Sequence, residues 1–206
     1  MKKDENLKEK FKQALISTVK AISEDFKNNE LQEQKNNSSK NYNFFELDNL
    51  NNKSDFLRFR AESDSEALKR KFSNKDIYLK NMPTKPTLKS LYNISEKLRY
   101  EKLGTKMLKG INKNIINNYI YKISLKRKDQ LKSKEDTTIT EAFEIYMLKN
   151  FLSIKTNNLC EKILNFWEDD FKRSFGKHLN YLNQNLENQE LFNSKFLEIL
   201  KELEKI

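Results

Sequence analysis

Apolar positions near the start of the chain recur every three or four residues. They are Leu7, Phe11, Leu15, Thr18 or Val19, Ile22 and Phe26. This spacing puts one apolar stripe on a helix of about 20 residues. The next stretch, residues 28–54, is rich in Asn, Gln, Ser and Lys, so we predict a mobile polar segment there. Inside that segment, residues 42–47 fit either a short strand or a loop anchor.

A second helix is predicted from Asp55 to Phe72, where helical spacing returns. Its candidate inward positions are Phe56, Phe59, Ala67 and Leu68. Residues 81–87 contain both prolines of the chain, and each proline removes a donor and disfavours helix in the residue before it. We therefore predict a break at 81–87 and a new helix that begins just after Pro86.

The helix after Pro86 has an apolar side, and a glycine at 104 or 110 is predicted to bend or end it. That side consists of Leu88, Leu91, Tyr92, Ser95, Leu98 and Leu103. A further helix is indicated by Ile111, Ile115, Tyr119, Ile123 and Leu125. The polar run 126–136 that follows is interpreted as an exposed helix end and a loop.

The last third of the chain is also predicted to be helical. Thr138 and Glu141 have the Thr-x-x-Glu order of a capping box, which opens a helix. Apolar residues then run at helical spacing over 143–154, pause at 156–158, and resume over 159–167. Two amphipathic helices joined near Asn188 complete the chain. We predict an all-α (mainly α) fold, one multi-helix domain over residues 1–206 with a polar insertion after the first helix.

Composition agrees with this fold and narrows the chemistry. Three Gly and two Pro suit long helices better than a many-turned β-sandwich. No run approaches the roughly 20 apolar residues of a membrane span, and the start lacks a secretory signal, so we expect a cytoplasmic protein. A single cysteine and a single histidine exclude an ordinary Cys/His zinc site. Cys160 is predicted to be buried and His178 to lie at a helix surface.

The formal net charge of +10 raises the question of nucleic-acid binding, because Lys and Arg neutralise phosphates. Only six of the 40 basic residues are Arg, the side chain preferred for bidentate recognition. We therefore interpret the charge first as a solvated surface. A basic helical nucleic-acid-binding protein, or a scaffold protein, remains the alternative function.

The sequence carries no motif for nucleotide hydrolysis or nucleophilic catalysis. Residues 62–66 superficially resemble a magnesium-binding triplet, but position 66 is Glu and the pattern is helical, so we interpret them as a polar helix face. Glu96 and Arg99, three apart on a helix, are interpreted as a surface salt bridge. We predict no catalytic, cofactor-binding or metal-binding residue in this chain.

Residues 91–104 resemble the stretch Val-Phe-Asp-x-x-Glu-x-x-Arg-Val-Glu-x-x-Gly of the cobalt chelatase subunit CobT family. The resemblance continues without a gap through Lys106, Gly110-Ile111 and Asn114-Ile115. Upstream, the similar positions are Arg60, Asp64, Ala67, Leu68 and Lys69, and Ser73-Asn74 stand where the family has His-Asp, which puts a polar role of those two positions in doubt. Towards the ends, the similar positions are Phe11-Lys12, Ala14, Ala21-Ile22 and Phe166-Trp167 with the helices that follow.

The resemblance implies the N-terminal helical region of an accessory subunit of ATP-dependent cobaltochelatase, which inserts cobalt into hydrogenobyrinic acid a,c-diamide in cobalamin biosynthesis. It implies a hetero-oligomer with an AAA+ ATPase subunit and a large corrinoid-binding subunit. ATP, magnesium and cobalt are then expected at those partners, with no cofactor bound by this chain and with neither membrane nor nucleic acid among its partners. The family's C-terminal von Willebrand-type domain is absent from these 206 residues.

Seven residues within the resemblance are candidates for structural or partner contacts. They are Arg60, Asp64, Arg99, Glu101, Gly104, Gly110 and Asn114. We expect Arg99 and Glu101 to project to different sides of one helix, so that one faces the core and the other a partner. Gly104 and Gly110 are expected to allow close packing between helices.

Overall fold

A computed structural model describes residues 2–24, 52–125 and 133–203, and these parts of the chain are helical with short connections. The helices are α1 (Lys2–Ser23), α2 (Lys53–Phe72), α3 (Lys75–Lys80), α4 (Pro86–Met107), α5 (Lys109–Ser124), α6 (Ile139–Phe151), α7 (Asn158–Asn165), α8 (Glu168–Phe175), α9 (Leu179–Gln184) and α10 (Gln189–Leu203). Short 3₁₀ turns cover Lys134–Asp136 and Gly176–His178. The predicted all-α class is confirmed. The polar segment predicted over 28–54, including the strand or anchor at 42–47, lies outside the described residues except for its last three, which cap and begin α2.

Helix α4 lies at the centre of the fold. Helices α2, α5, α6 and α10 all pack on it. Helix α1 packs on α2, while α7 and α8 pack on α6. Because neighbours surround α4, ten of its residues are buried: Leu91, Tyr92, Ser95, Glu96, Leu98, Arg99, Tyr100, Glu101, Leu103 and Gly104. Four of these are polar or charged, which is unusual for the middle of a helical core.

Local sequence explains where several helices begin. Pro86 is the first residue of α4, a position where its missing N–H costs nothing, so the predicted break is confirmed and the helix begins at the proline itself. The Thr138 hydroxyl accepts a hydrogen bond from the Glu141 N–H at 3.1 Å and caps α6, as predicted. Asn157 caps α7 in the same way, through the Cys160 N–H at 2.9 Å.

The glycines do not end α4, and that prediction was wrong. The helix continues through Gly104 and ends at Met107, and Gly110 lies inside α5. The break falls at Leu108, whose backbone is extended, with φ −137° and ψ 125°. The turn between the two helices therefore needs no left-handed residue, because an extended backbone is open to leucine.

The main apolar core lies where α6, α8 and α10 meet. The Phe143 ring centroid lies 5.9 Å from that of Phe171, 5.1 Å from that of Phe175 and 5.9 Å from that of Phe196. Towards the other end, Phe59, Ala67 and Leu68 of α2 are buried as predicted. Phe56 is not, since it is 39% exposed and packs edge-on against Phe11 with the ring centroids 4.9 Å apart.

Over the parts of the chain that the structure describes, none of the helices combines the length and apolar character needed to cross a bilayer.

Candidate functional site

Arg99 and Glu96 form a buried ion pair in the middle of α4. The Arg99 side chain is fully buried and that of Glu96 is 4% exposed. The guanidinium donates twice to the carboxylate, from Nε to Oε2 at 2.9 Å and from Nη2 to Oε1 at 2.8 Å. This two-bond geometry is available to arginine and not to lysine, because only the guanidinium has a planar fork of donors.

The rest of the Arg99 guanidinium binds backbone carbonyls from two distant parts of the chain. Nη2 donates to the carbonyl oxygen of Phe72, the last residue of α2, at 2.6 Å. Nη1 donates to the carbonyl oxygen of Leu186, in the turn before α10, at 2.8 Å. Arg99 therefore fixes the end of α2 and the entry to α10 against the central helix.

Two polar side chains, those of Ser73 and Gln189, complete the shell around the Glu96 carboxylate. The Ser73 hydroxyl donates to Oε1 at 2.6 Å, and the Gln189 amide donates to the same oxygen at 3.0 Å. The Gln189 carbonyl oxygen in turn accepts from the Asn74 N–H at 2.6 Å. Ser73 therefore has a polar role through its side chain, whereas Asn74 contributes only its backbone N–H here and uses its side chain to cap α3.

The interpretation of Glu96 and Arg99 as a surface salt bridge was wrong. The two residues are one helical turn apart, as predicted, but the end of α2 and the start of α10 cover this side of α4. Burial of such a pair requires that its remaining donors and acceptors be satisfied, and the Phe72 and Leu186 carbonyls, Ser73 and Gln189 do this. We call these residues with Arg99 and Glu96 the Arg99 junction.

Glu101 is the centre of a second buried polar group, between α4 and α2 and α5. Its Oε1 accepts from the Ser65 hydroxyl at 2.6 Å, and its Oε2 accepts from the Tyr119 hydroxyl at 2.6 Å. The Lys97 ammonium lies 3.8 Å from Oε1. Burial, together with the Glu101 charge and hydrogen bond, raises the pKa of Tyr119 well above its usual value, so the phenol stays a donor.

The expectation that either Arg99 or Glu101 faces a partner was wrong for the folded chain. Glu101 is 2% exposed and Arg99 is fully buried. The two residues do project to different sides of α4, as expected. Each side is already covered by another helix of the same chain, by α10 for Arg99 and by α5 for Glu101.

Asp64 and Asn114 join α2 to α5. The Asn114 amide donates to the Asp64 carboxylate at 2.7 Å. Burial raises the pKa of Asp64, although the Asn114 hydrogen bond and the Arg60 charge partly oppose this. The interpretation of residues 62–66 as a polar helix face was wrong, because Ser63, Asp64 and Ser65 are all buried.

The two candidate glycines differ sharply in their surroundings. A Cβ atom on Gly104 would lie 2.3 Å from a methyl carbon of Leu68, so only glycine fits this contact between α4 and α2. Nothing lies within 4 Å of the corresponding point on Gly110. Close helix packing is thus found at Gly104 and not at Gly110.

Cys160 and His178 lie in separate helical elements. Cys160 is fully buried in α7, as predicted. His178 lies in the 3₁₀ turn after α8, and its side chain is 14% exposed, so the predicted surface position was wrong. Burial lowers the pKa of His178, and the nearby charges of Lys195 and Lys177 add to the effect. No group of three or more His, Cys, Asp or Glu side chains suited to a metal ion occurs in 2–24, 52–125 or 133–203.

The structure thus places five of the seven candidates in contacts that join α2, α4, α5 and the entry to α10. They are Asp64, Arg99, Glu101, Gly104 and Asn114. Arg60 lies beside Asp64, whereas Gly110 lies apart. Sequence analysis did not identify Ser73 and Gln189 as partners of Glu96. The only signal for either was that positions 73–74 stand where the family has the polar pair His-Asp. The charged groups of the Arg99 junction bind one another and the backbone at two helix ends, so the junction holds these helix ends in place.

A family model described as cobalamin biosynthesis protein CobT matches residues 5–206, nearly the whole chain, from α1 to the C-terminal end. No curated protein and no solved structure matches the chain.

Proposed function

The chain belongs to the CobT family of cobalamin biosynthesis proteins, and from this premise we propose that it is an accessory, assembly part of an ATP-dependent cobaltochelatase. In this role it supports the insertion of cobalt into hydrogenobyrinic acid a,c-diamide. Cobalt and the corrinoid are substrates of the complex. The observation that carries the proposal is the family match over residues 5–206.

The geometry around α4 supports a binding role for this chain. Arg99, Glu96 and Glu101 are charged groups buried in α4, and their hydrogen bonds go to one another and to neighbouring parts of the chain. Such groups give shape to a domain and leave its outer surface for partners. We therefore assign ATP and magnesium to an AAA+ partner subunit and the corrinoid to a large partner subunit, in a hetero-oligomer located in the cytoplasm.

A pull-down tests this assignment. The tagged chain is mixed separately with the AAA+ subunit and with the large chelatase subunit from the same source, at about 0.15 M salt and again at about 0.5 M. We expect the AAA+ subunit to be retained at both salt concentrations, because a specific interface has an apolar part that salt does not screen. An unrelated AAA+ protein serves as the control. Retention of neither subunit would contradict the proposal.

The same experiment separates the alternative function. A basic protein that binds nucleic acid should retain an oligonucleotide at low salt and lose it steeply as salt rises. Nuclease treatment of both samples before mixing removes bridging nucleic acid. Binding of the AAA+ subunit that disappears after nuclease treatment would favour the nucleic-acid-binding alternative over the assembly role.

A further inference from the structure

An open groove lies between α2, α3 and α4, next to the Arg99 junction. It has a volume of about 550 Å³. Helices α2 and α4 run antiparallel along it, since Ser65 of α2 faces Glu101 while Ser73 faces Glu96. The α2 wall runs from Glu66 to Ser73, about two helical turns or 10 Å. The groove is thus long enough to hold a short stretch of another chain.

The charges that line this groove are mainly positive. Lys69, Arg70, Lys75 and Lys97 face two carboxylates, Glu66 and Glu96. The Glu96 carboxylate is bound by Arg99, Ser73 and Gln189. Glu66 accepts from Arg70 Nε at 2.9 Å. Both carboxylates are thus paired, and the Lys97 ammonium lies 3.8 Å from Glu101, so the exposed ammonium groups of Lys69 and Lys75 are the excess charge of the groove.

The α3 side of the groove adds an apolar surface beside these lysines. Leu79 is 51% exposed. The Tyr78 ring stacks on that of Tyr92, with centroids 5.3 Å apart, and the Tyr78 hydroxyl donates to Asn93. The Tyr92 hydroxyl donates to the Tyr78 carbonyl oxygen at 3.0 Å. These contacts hold the tyrosine in place, so the groove offers a preformed surface on which an apolar side chain can pack.

We propose that this groove docks an acidic, amphipathic segment of a partner protein, whose carboxylates meet Lys69 and Lys75 and whose apolar side chain packs on Leu79. The proposal rests on the assembly role proposed above and specifies one of its contacts. A protein segment fits better than a nucleic acid, because a nucleic-acid strand has no aliphatic side chain to cover Leu79 and because Arg70 is paired with Glu66.

Peptide binding tests the proposal without any chelatase subunit. The probe is a fluorescein-labelled helical peptide of about ten residues, with Glu and Leu at helical spacing, and its matched control has Gln in place of every Glu. Fluorescence anisotropy measures binding of each peptide to the full chain. We expect the Glu peptide to bind at least about tenfold more tightly than the Gln peptide, by charge attraction to Lys69 and Lys75.

Two double variants with the same change in net charge locate the site. Lys69→Glu/Lys75→Glu reverses the groove charge, and Lys155→Glu/Lys162→Glu reverses two exposed lysines elsewhere. We expect the first to weaken binding of the Glu peptide about tenfold and the second to change it less than twofold. Circular dichroism during heating checks that both variants fold. Equal weakening by both variants would overturn the proposal.

A single-stranded oligonucleotide and the pull-down complete the test. If the oligonucleotide bound as tightly as the Glu peptide and lost affinity in the same groove variant, the groove would be a general polyanion surface and the proposal would be overturned. Loss of peptide specificity with retention of the AAA+ subunit would refute the groove alone. Specific peptide binding without retention of either subunit would refute the chelatase role and leave the groove proposal standing.

Discussion

The Arg99 junction and the main apolar core, where α6, α8 and α10 meet, are both buried, yet different interactions hold them together. Around Arg99, the polar contacts are hydrogen bonds of fixed direction, and two of the acceptors are backbone carbonyls. Around Phe196, the contacts are ring surfaces, with the Phe175 centroid 5.8 Å and the Phe143 centroid 5.9 Å away. The Arg99 junction therefore requires donors and acceptors at particular positions, whereas the apolar core requires side chains that fill its volume.

This difference indicates what each region contributes. Apolar burial supplies most of the stability of a folded domain, about 1.5–3 kcal/mol for each large side chain. A buried ion pair supplies little net stability, because desolvation offsets its attraction. Arg99 does something that apolar packing cannot, since it selects which carbonyls, and therefore which helix ends, meet at α4. Phe192 borders both regions, with its ring 6.0 Å from the Arg99 guanidinium and 6.4 Å from the Phe196 ring.

The largest expected effect comes from breaking the Arg99 junction. Arg99→Ala should lower the free energy of unfolding by about 3–5 kcal/mol, because Glu96 is left as an unpaired buried charge. Arg99→Lys should lower it by more than half of that amount, because the three donors of a lysine ammonium cannot make the four hydrogen bonds of the guanidinium. Chemical denaturation in guanidinium chloride measures both values.

A double variant serves as the control for this pair. Glu96→Met/Arg99→Met removes both charges, so it should be more stable than Arg99→Ala while remaining less stable than the wild type. The Phe72 and Leu186 carbonyls would still lack their donors. A loss below about 1 kcal/mol for Arg99→Ala would contradict the role given to the junction.

Two glycine variants are expected to have the next largest effect on the free energy of unfolding. Gly104→Ala should lower the free energy of unfolding by about 1–3 kcal/mol, because the new methyl group would overlap the buried Leu68 side chain. Gly110→Ala, the matched control in α5, should be neutral or raise it by up to about 1 kcal/mol, since space is open there and alanine favours helix. Equal losses for the two variants would show that the Leu68 contact is unimportant.

A conservative variant in the apolar core should be tolerated where Arg99→Lys is not. Phe196→Leu is expected to cost about 1–1.5 kcal/mol, because the leucine keeps most of the apolar contacts with Phe143 and Phe175. Thermal unfolding followed by circular dichroism gives the comparison with Arg99→Lys. If Phe196→Leu cost as much stability as Arg99→Lys, the apolar core would be no more tolerant of a conservative change than the hydrogen-bonded Arg99 junction, and the comparison would be contradicted.

The smallest expected effect concerns the pH dependence of stability. Burial raises the pKa of Asp64 in the folded chain above its ordinary value near 3.8, so the native state binds this proton more readily than the unfolded state. The carboxylate therefore costs stability above its folded-state pKa, and the cost disappears as the pH falls to the ordinary value. Asp64→Asn, which can still accept from Asn114, should differ from wild type by under about 1 kcal/mol at neutral pH.

Denaturation curves at several pH values test this expectation. In going from neutral pH towards pH 4, the wild type should gain stability relative to Asp64→Asn, because protonation relieves the buried charge. A difference between the two proteins that is the same at every pH would show that the Asp64 carboxylate is as well solvated in the folded chain as in the unfolded chain.

The helices could be predicted from sequence because periodicity, proline and caps act locally. Pro86 and Thr138 mark helix starts by their own chemistry, and both predictions are confirmed. The Arg99 junction could not be predicted in this way. Its acceptors on Phe72 and Leu186 are backbone atoms, which every residue possesses, and Gln189 lies 93 positions from Glu96.

Burial of polar residues was the main source of error. A helix covered on two sides by helices from distant parts of the chain carries charges at positions that look solvated from their spacing alone. Gly104 and Gly110 show the same limit of sequence-based prediction, because both are glycines but only Gly104 lies against Leu68. Their difference depends on tertiary packing, which no local pattern contains.

Sedimentation velocity of the fluorescently labelled chain with the purified AAA+ subunit of the same source tests the assembly role most directly. We expect the label to move with the larger AAA+ assembly at about 0.15 M salt and still to do so at about 0.5 M. If the folded chain sedimented alone at both salt concentrations, while the AAA+ subunit bound its large chelatase partner, the proposed assembly role would be contradicted.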